Sequence, residues 1–186
     1  MVQVIDNLLP ELYLKKLNHL LLGNSNTVKP LFNWFWNDYS VSDILEDGSR
    51  KPKDNNFMLT HVIWNEETNS QSPHFEIFLP IVYFINQHCS LKDIIRIKLN
   101  CYPNQGVRKD HAKHNDIRNP NTKKPLENCK ITVLNLTTCN GGTIIDDKEY
   151  SSIKNQALIF DNTKEHSGFT QTDTSRRIVI NIATTN

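Results

Sequence analysis

The chain has 186 residues, which is enough for one domain with a sizeable core, whereas two full domains would be crowded. Hydrophobic residues make up 38% of it and charged residues 22%, as in ordinary globular proteins. The 21 basic and 20 acidic residues give a formal net charge of +1 at pH 7, so no overall field attracts polyanions or membranes.

The first half of the chain predicts two helices and a strand. Leucines recur at a mostly 3.6-residue spacing over residues 8–22, and Gly23 follows the last of them, so a helix is predicted there. Residues 57–64 have the composition of a strand. A second helix is predicted over residues 72–89, with a kink or break at Pro80 because proline cannot donate a helical hydrogen bond.

Two further segments of the first half are predicted from their composition. The residues of an aromatic cluster are expected to pack under the core; they are Trp34, Phe35, Trp36 and Tyr39. The polar stretch 41–56 is expected to form an exposed loop.

From Asp93 onward the sequence consists of short β-type runs separated by turn-forming clusters. The runs are residues 94–102, 130–136, 142–145, 156–160 and 177–183. Short strands with no long helix between them favour an antiparallel sandwich or jelly roll over a parallel α/β sheet.

Two histidines and an aspartate in this half are candidate metal ligands. His114 and Asp116 alternate just beyond a predicted strand, so their side chains would point the same way. His166 follows the turn after another strand, where a returning strand would place it opposite the first pair. Two imidazoles and one carboxylate can hold iron(II) on one face and leave the other open for substrate and dioxygen.

Arg176 begins a strongly apolar strand, which is an unusual place for a charge without an anionic partner. Its guanidinium could hold the far carboxylate of a dicarboxylic cosubstrate through two parallel hydrogen bonds. The alternative is that Arg176 and Arg177 form a solvated strand edge, and the residues by themselves leave both interpretations open.

The other histidines are assigned structural or solvent-exposed roles. His111 is interpreted as a solvated loop residue, with a place on the substrate rim as the alternative. His74 and Glu76 form a second His-x-acid pair, but no suitable histidine and arginine follow it. Histidines among apolar neighbours are predicted to pack in the interior; these are His19, His61 and His88.

The four cysteines form no CxxC pair, which argues against a zinc site or a thioredoxin-like motif. No signal peptide is recognised, and no apolar run approaches the roughly 20 residues that a membrane span needs. We therefore expect a soluble protein of a reducing cytoplasm that makes no membrane contact.

Several motifs together resemble the iron(II)/2-oxoglutarate-dependent dioxygenases, and within them the prolyl-4-hydroxylase-like branch, including small phage-encoded forms. In chain order they are residues 96–103, His114-x-Asp116, Gly141-Gly142-Thr143, residues 157–161, His166-Ser-Gly168, and Arg176 with residues 179–182. Residues 4–10 also resemble the N-termini of the phage proteins. If the gene is phage-borne, the expected location is the host cytoplasm.

The resemblance implies an α+β, mainly β fold, with a double-stranded β-helix (jelly-roll) core and N-terminal supporting helices. Residues 1–186 would form a single domain, in which 1–92 are the helical and strand support and 93–186 the core that carries the site.

The resemblance also implies a role for each candidate residue. His114, Asp116 and His166 would ligate iron(II). Arg176 would pair with the C5 carboxylate of 2-oxoglutarate, and Tyr102 would hydrogen-bond the same cosubstrate. Ascorbate is a possible reductant.

The implied activity is hydroxylation of an unactivated C–H bond at the expense of 2-oxoglutarate and dioxygen, on a prolyl or other side chain of a peptide or protein. The segments 41–56 and 103–128 are long enough to form a lid or groove, and their lysines and arginines leave nucleic acid open as a target. A nucleobase or small-molecule substrate is an alternative, as is a non-catalytic jelly-roll module that binds a metal or ligand. A cupin-like enzyme does not fit the order of the ligands.

Overall fold

The computed structural model describes residues 1–23, 31–45 and 49–186. The elements in chain order are β1 (Gln3–Ile5), α1 (Glu11–Leu22), β2 (Phe35–Asn37), β3 (Ser42–Ile44), β4 (Arg50–Pro52), β5 (Met58–Asn65), β6 (Ser70–Gln71), α2 (Phe75–Asn86), β7 (Ile94–Pro103), β8 (Cys129–Asn135), β9 (Cys139–Ile145), β10 (Lys148–Ser152), β11 (Ala157–Asp161), β12 (His166–Phe169) and β13 (Arg176–Thr185).

Most strands belong to one large antiparallel sheet, ordered β1-β11-β8-β13-β7-β5-β2, with β6 paired to β5. A smaller antiparallel sheet has the order β10-β9-β12, and β3 and β4 form a separate hairpin. The described helices α1 and α2 contribute to one apolar core with alternate residues of β7 and β13, including Leu99 and Ile180. The expected mainly β, antiparallel architecture with supporting helices is therefore confirmed.

The other face of β7 and β13 is unusually polar for an interior surface. Along β7 the residues between the apolar ones are Arg96, Lys98, Asn100 and Tyr102, and all four line a cavity. On β13 the cavity-lining residues are Arg177, Val179, Asn181 and Thr185. Because side chains alternate across a strand, the large sheet packs its apolar row against the helices and turns its polar row into the cavity.

A segment preceding β8 extends the smaller sheet beyond β12. Isolated antiparallel bridges pair Asp110 with Phe169 and His114 with His166. The side chain of Asp54 also supports this segment, because it accepts hydrogen bonds from the backbone N–H of Ala112 and from Ser40. The first part of the predicted lid segment 103–128 is thus hydrogen-bonded along a sheet edge.

The helices occur where they were predicted, but α1 starts later than its leucine pattern does. The backbone N–H groups of Leu8 and Leu9 donate to the main chain and side chain of Asn155, so these residues are tied to another turn. The second helix passes through Pro80 as one element, and the predicted break is absent.

Two loop and packing predictions were wrong. Phe35 and Trp36 are 59% and 57% exposed and lie on an edge strand, so the aromatic cluster does not pack wholly under the core. The stretch 41–56 contains the β3–β4 hairpin, although its residues 46–48 lie outside the described part of the chain.

Neither described helix combines the length and the apolar character that crossing a membrane requires.

Gly142 in β9 leaves no room for a side chain. An added Cβ would come within 2.6 Å of Phe169 Cζ and would also collide with the main-chain oxygen of Tyr150. We expect Gly142→Ala to lower the free energy of unfolding by at least about 3 kcal/mol, because backbone must move to relieve the clash. Gly106→Ala is the control, since its Cβ would meet nothing and only the positive φ of 76° costs about 1–2 kcal/mol. Urea denaturation of both variants measures which of them loses more free energy of unfolding. Equal losses in the two variants would contradict the prediction.

Candidate metal and cosubstrate site

His114 and His166 face each other across an antiparallel bridge. Each backbone N–H donates to the other residue's carbonyl, at 2.9 and 3.0 Å, and the ring centroids lie 4.5 Å apart. Asp116 lies two residues beyond His114, so the same alternation that aligns strand side chains brings its carboxylate to this side. One potential ligand atom from each of these three residues lies within 4.8 Å of the others. The three predicted metal ligands therefore converge.

The Asp116 carboxylate is fixed from the large sheet. Arg96 Nη2 donates to Oδ1 at 2.5 Å, and Asn181 Nδ2 donates to Oδ2 at 2.9 Å. Arg96 Nη2 also donates to Asn181 Oδ1 at 3.1 Å, so the two supporting residues hold each other. Burial alone would raise the pKa of Asp116, but Arg96 and the hydrogen bond from His166 hold it well below its usual range.

The contacts of His114 leave one of its ring nitrogens free to ligate a metal. His114 Nδ1 lies 3.1 Å from the carbonyl oxygen of Ala112; a proton on Nδ1 satisfies that contact and leaves Nε2 free to ligate. Burial and the neighbouring His166 lower the pKa of His114 to about 4, so the ring is neutral at pH 7. His166 Nε2 is 3.1 Å from Asp116 Oδ2. Two imidazoles beside an ionised carboxylate form a donor set that fits a divalent metal.

The structure places Arg176 outside this site, which corrects the sequence prediction. Its side chain is exposed and lines a surface cleft with Leu22 of α1 and Thr137. The next residue, Arg177, is 2% exposed and lines the same cavity as the three ligands. Arg177 has the strand parity of Asn181, whereas Arg176 has the parity of the row that faces the helices.

The Arg177 guanidinium is held by neutral groups. Nη2 donates to Thr143 Oγ1 at 2.9 Å and approaches Asn135 Oδ1 at 3.4 Å, and Cζ lies 5.5 Å from the centre of the Tyr102 ring. Burial lowers its pKa. Within the described residues, no carboxylate pairs with Arg177 and its Nε has no hydrogen-bond partner. A buried cation without a counter-ion is costly, so this position is suited to an anionic ligand.

His111 lies in the wall of the cavity and is not the solvated loop residue that was expected. It is 7% exposed, its ring centroid is 5.0 Å from that of Tyr102, and burial lowers its pKa to about 4. Gly168 allows this approach, because a Cβ there would come within 2.8 Å of His111 Nδ1. The predicted cosubstrate residue Tyr102 therefore lies between His111 and Arg177, and burial raises the pKa of its phenol to about 12.

One cavity of about 1120 Å³ connects these groups. The three converging ligands, the unpaired Arg177 and the neutral Tyr102 phenol all line it. The volume exceeds what a small dicarboxylate fills, so space remains for part of a second molecule. The residues present thus fit both a divalent metal and an anionic cosubstrate.

Removing the Arg96 guanidinium is expected to weaken metal binding. In Arg96→Met the burial effect on Asp116 is no longer opposed by that charge, so the pKa of Asp116 rises and protons compete with the metal. We expect about 10–100-fold weaker Mn(II) binding at pH 7, as for other supporting contacts of metal ligands. Calorimetric titration across pH should show the acid limb of binding displaced upward.

The same substitution removes acid stability. Because the pKa of Asp116 is lower in the folded than in the unfolded chain, it stabilises the folded state at pH values above the unfolded pKa of about 3.9. This stabilisation is lost as the pH falls through the folded pKa, and Arg96→Met should show less of it. Arg118→Met is the control, because Arg118 lines the same cavity but lies 4.0 Å from Asp43 instead. An unchanged pH profile in Arg96→Met would contradict the assigned role.

The sequence matches no protein-family model and no curated protein. The fold does resemble solved structures. A prolyl hydroxylase from Trichoplax adhaerens, in complex with a hypoxia inducible factor peptide fragment, is 14% identical with a TM-score of 0.61, covering 99% of this chain and 83% of that chain. An oxidoreductase of the 2OG-Fe(II) oxygenase family from Burkholderia pseudomallei is 11% identical with a TM-score of 0.64, covering 98% and 84%.

A viral collagen prolyl hydroxylase from Paramecium Bursaria Chlorella virus-1, in complex with 2OG, is 12% identical with a TM-score of 0.53, covering 100% of this chain and 96% of that chain. At such low identities these likenesses concern the fold. They confirm the predicted jelly-roll core with supporting helices.

Proposed function

We propose that the chain is an iron(II)- and 2-oxoglutarate-dependent dioxygenase that hydroxylates an unactivated C–H bond. The observation that carries the proposal is a buried Arg177 that pairs with no carboxylate of the described residues and lines the same cavity as His114, Asp116 and His166. A module that only bound a metal would not require a buried guanidinium without a counter-ion beside it. The prolyl-hydroxylase and oxygenase folds that this chain resembles support the same class.

The roles of the residues follow from their positions. His114, His166 and Asp116 would hold iron(II), while Arg96 and Asn181 orient the carboxylate. Arg177, steadied by Thr143, would donate two hydrogen bonds to the C5 carboxylate of 2-oxoglutarate, with Tyr102 as a further donor. When bound, iron(II) and 2-oxoglutarate would supply the oxidising power to insert one atom of dioxygen into a C–H bond.

The polar groups line a cavity whose walls also include buried apolar residues. Apolar residues of the core between the two sheets, including Val133 and Val179, also line the cavity and limit access of water. The His114 imidazole is neutral and the Asp116 carboxylate is ionised at pH 7, as metal ligation requires. The protein would therefore bind and orient its cosubstrate with little rearrangement.

For the substrate we propose a peptide or protein side chain, with proline as the first candidate. This is supported by the resemblance to the prolyl-4-hydroxylase branch and by the peptide bound to the Trichoplax adhaerens enzyme. Exposed Trp36 stacks on half-buried Phe57 with ring centroids 4.8 Å apart, and the pair adjoins the cavity-lining Asn37 and Met58.

Turnover tests the function directly. Protein with fresh iron(II) and 2-oxoglutarate is incubated in air with a peptide digest of bacterial lysate, and succinate and added oxygen are followed by mass spectrometry. We expect succinate and a peptide gain of one oxygen atom, both absent with His166→Ala. Succinate at the background rate of His166→Ala under all conditions would overturn the proposal.

A further inference from the structure

Lys98 is a second cation inside the cavity, at a different place from Arg177. It lies on β7 between Arg96 and Asn100 and is paired in register with Asn181 on one side and Val62 on the other. All of these line the cavity. Residues two apart on a strand are separated by about 7 Å, so Lys98 is one such step from the arginine that holds Asp116.

The ammonium of Lys98 has no hydrogen-bond or ion-pair partner among residues 1–23, 31–45 and 49–186. Its side chain is partly buried and lines the cavity. Burial, together with the charges of Arg96 and Arg50, lowers its pKa to about 8, so it remains largely protonated at pH 7. An unpaired interior cation is costly, and lysine is rarely kept inside a protein without a partner.

The other charged residues around it do not compete for this position. Lys53 and Arg118 approach Asp43 at 3.8 and 4.0 Å at the rim. Arg50 is exposed and donates to Ser42 Oγ at 3.3 Å, and Arg96 is bound to Asp116. In the proposed function Arg177 is taken by the cosubstrate. Among the described residues that line the cavity, Lys98 is then a cation with no assigned partner, so it is available to bind a further ligand.

We propose that Lys98 binds an anionic group of the substrate, a carboxylate or a phosphate, so that the oxidised C–H bond lies only a few bonds from that charge. The inference rests on the proposed function and narrows its substrate class. A lysine ammonium is a compact point charge that accepts either group, whereas the planar fork of Arg177 suits the cosubstrate carboxylate. Lys98 and Arg177, two separate cations of the cavity lining, would thus hold two different anions.

The test uses Mn(II)-loaded protein saturated with 2-oxoglutarate, which occupies Arg177. Sodium acetate and inorganic phosphate are the probes, and Mn(II)-induced relaxation of the acetate methyl protons and of the phosphorus nucleus is measured. We expect enhanced relaxation of at least one probe, reduced at least tenfold in Lys98→Met and retained in Lys98→Arg. The stronger probe identifies the preferred anion.

Lys53→Met is the matched control, because Lys53 lines the same cavity at its rim. Enhancement equal in wild type, Lys98→Met and Lys53→Met would overturn the inference, as would no enhancement although Mn(II) and 2-oxoglutarate bind. The proposed function survives both of those outcomes.

If Mn(II) or 2-oxoglutarate fails to bind, the proposed function fails and Lys98 is tested separately. Acetate and phosphate are then titrated calorimetrically into the metal-free Arg177→Gln variant. If binding disappears when Lys98→Met is added to that variant, the inference that Lys98 binds an anion is supported. If binding does not depend on Lys98, the inference is overturned.

Discussion

Replacing Arg177 by glutamine is expected to weaken 2-oxoglutarate binding to the Mn(II)-loaded protein by at least about 30-fold. Truncating one partner of a buried charge pair costs about 2–5 kcal/mol, and 2 kcal/mol corresponds to that factor. Mn(II) binding should change little, since Arg177 touches Thr143, Asn135 and Tyr102 but none of the three ligands. Calorimetric titration of metal and then of 2-oxoglutarate measures both affinities on one sample.

Arg176→Gln is the matched control, because it removes an adjacent arginine whose side chain is exposed near α1. We expect its 2-oxoglutarate affinity to stay within about twofold of wild type, the range of surface changes. A large loss in Arg176→Gln with little loss in Arg177→Gln would restore the sequence prediction and contradict the parity of β13.

Replacing His166 by alanine is expected to abolish specific Mn(II) binding, a loss of more than about 100-fold. Removing even a supporting contact of a metal ligand costs 10–100-fold, and His166 would supply a ligand atom itself. Its ring lies 4.5 Å from that of His114 and its Nε2 lies 3.1 Å from Asp116 Oδ2. Electron paramagnetic resonance of free Mn(II) gives the bound fraction directly.

His111→Ala provides the comparison, because His111 lies in the same cavity and is equally a buried histidine, but it is not one of the three converging residues. We expect this variant to keep Mn(II) affinity near that of wild type. If His111→Ala releases the metal while His166→Ala retains it, the ligand assignment is wrong.

The strand pattern predicted the core of the fold well, because β7 and β13 carry an apolar residue at every second position over most of their length. Their apolar rows pack against the helices, as such alternation requires. Strand β10 was not predicted, since it is polar and exposed along much of its length, and the short β12 was anticipated only as a returning strand at His166. Both strands form by pairing with β9, and a local sequence pattern does not show which strands pair.

The convergence of His114, Asp116 and His166 could be predicted, because the first two share one short segment and the third follows a clearly apolar strand. The sequence prediction placed Arg176 at the cosubstrate, whereas the neighbouring Arg177 lines the cavity, because a one-residue shift turns a side chain to the opposite face. Strand parity was available in the sequence: Arg177 is in phase with Val179 and Asn181, and Arg176 with the isoleucines of the apolar row.

Arg96, Lys98 and His111 were missed for a different reason. Polar residues that alternate with apolar ones ordinarily face solvent, and only the second sheet shows that this face of β7 is interior. His111 is buried by its backbone contact with Gly168, a residue far along the chain. Such long-range contacts cannot be inferred from the local sequence.

Anaerobic addition of iron(II) and then 2-oxoglutarate, followed by visible absorption, tests the central claim most directly. We predict a charge-transfer band that requires both additions and saturates at one equivalent of each. The band should be absent in His166→Ala, require far more 2-oxoglutarate in Arg177→Gln, and be unchanged in Arg176→Gln. A folded wild-type protein that gives no such band at saturating iron(II) and 2-oxoglutarate would contradict the account.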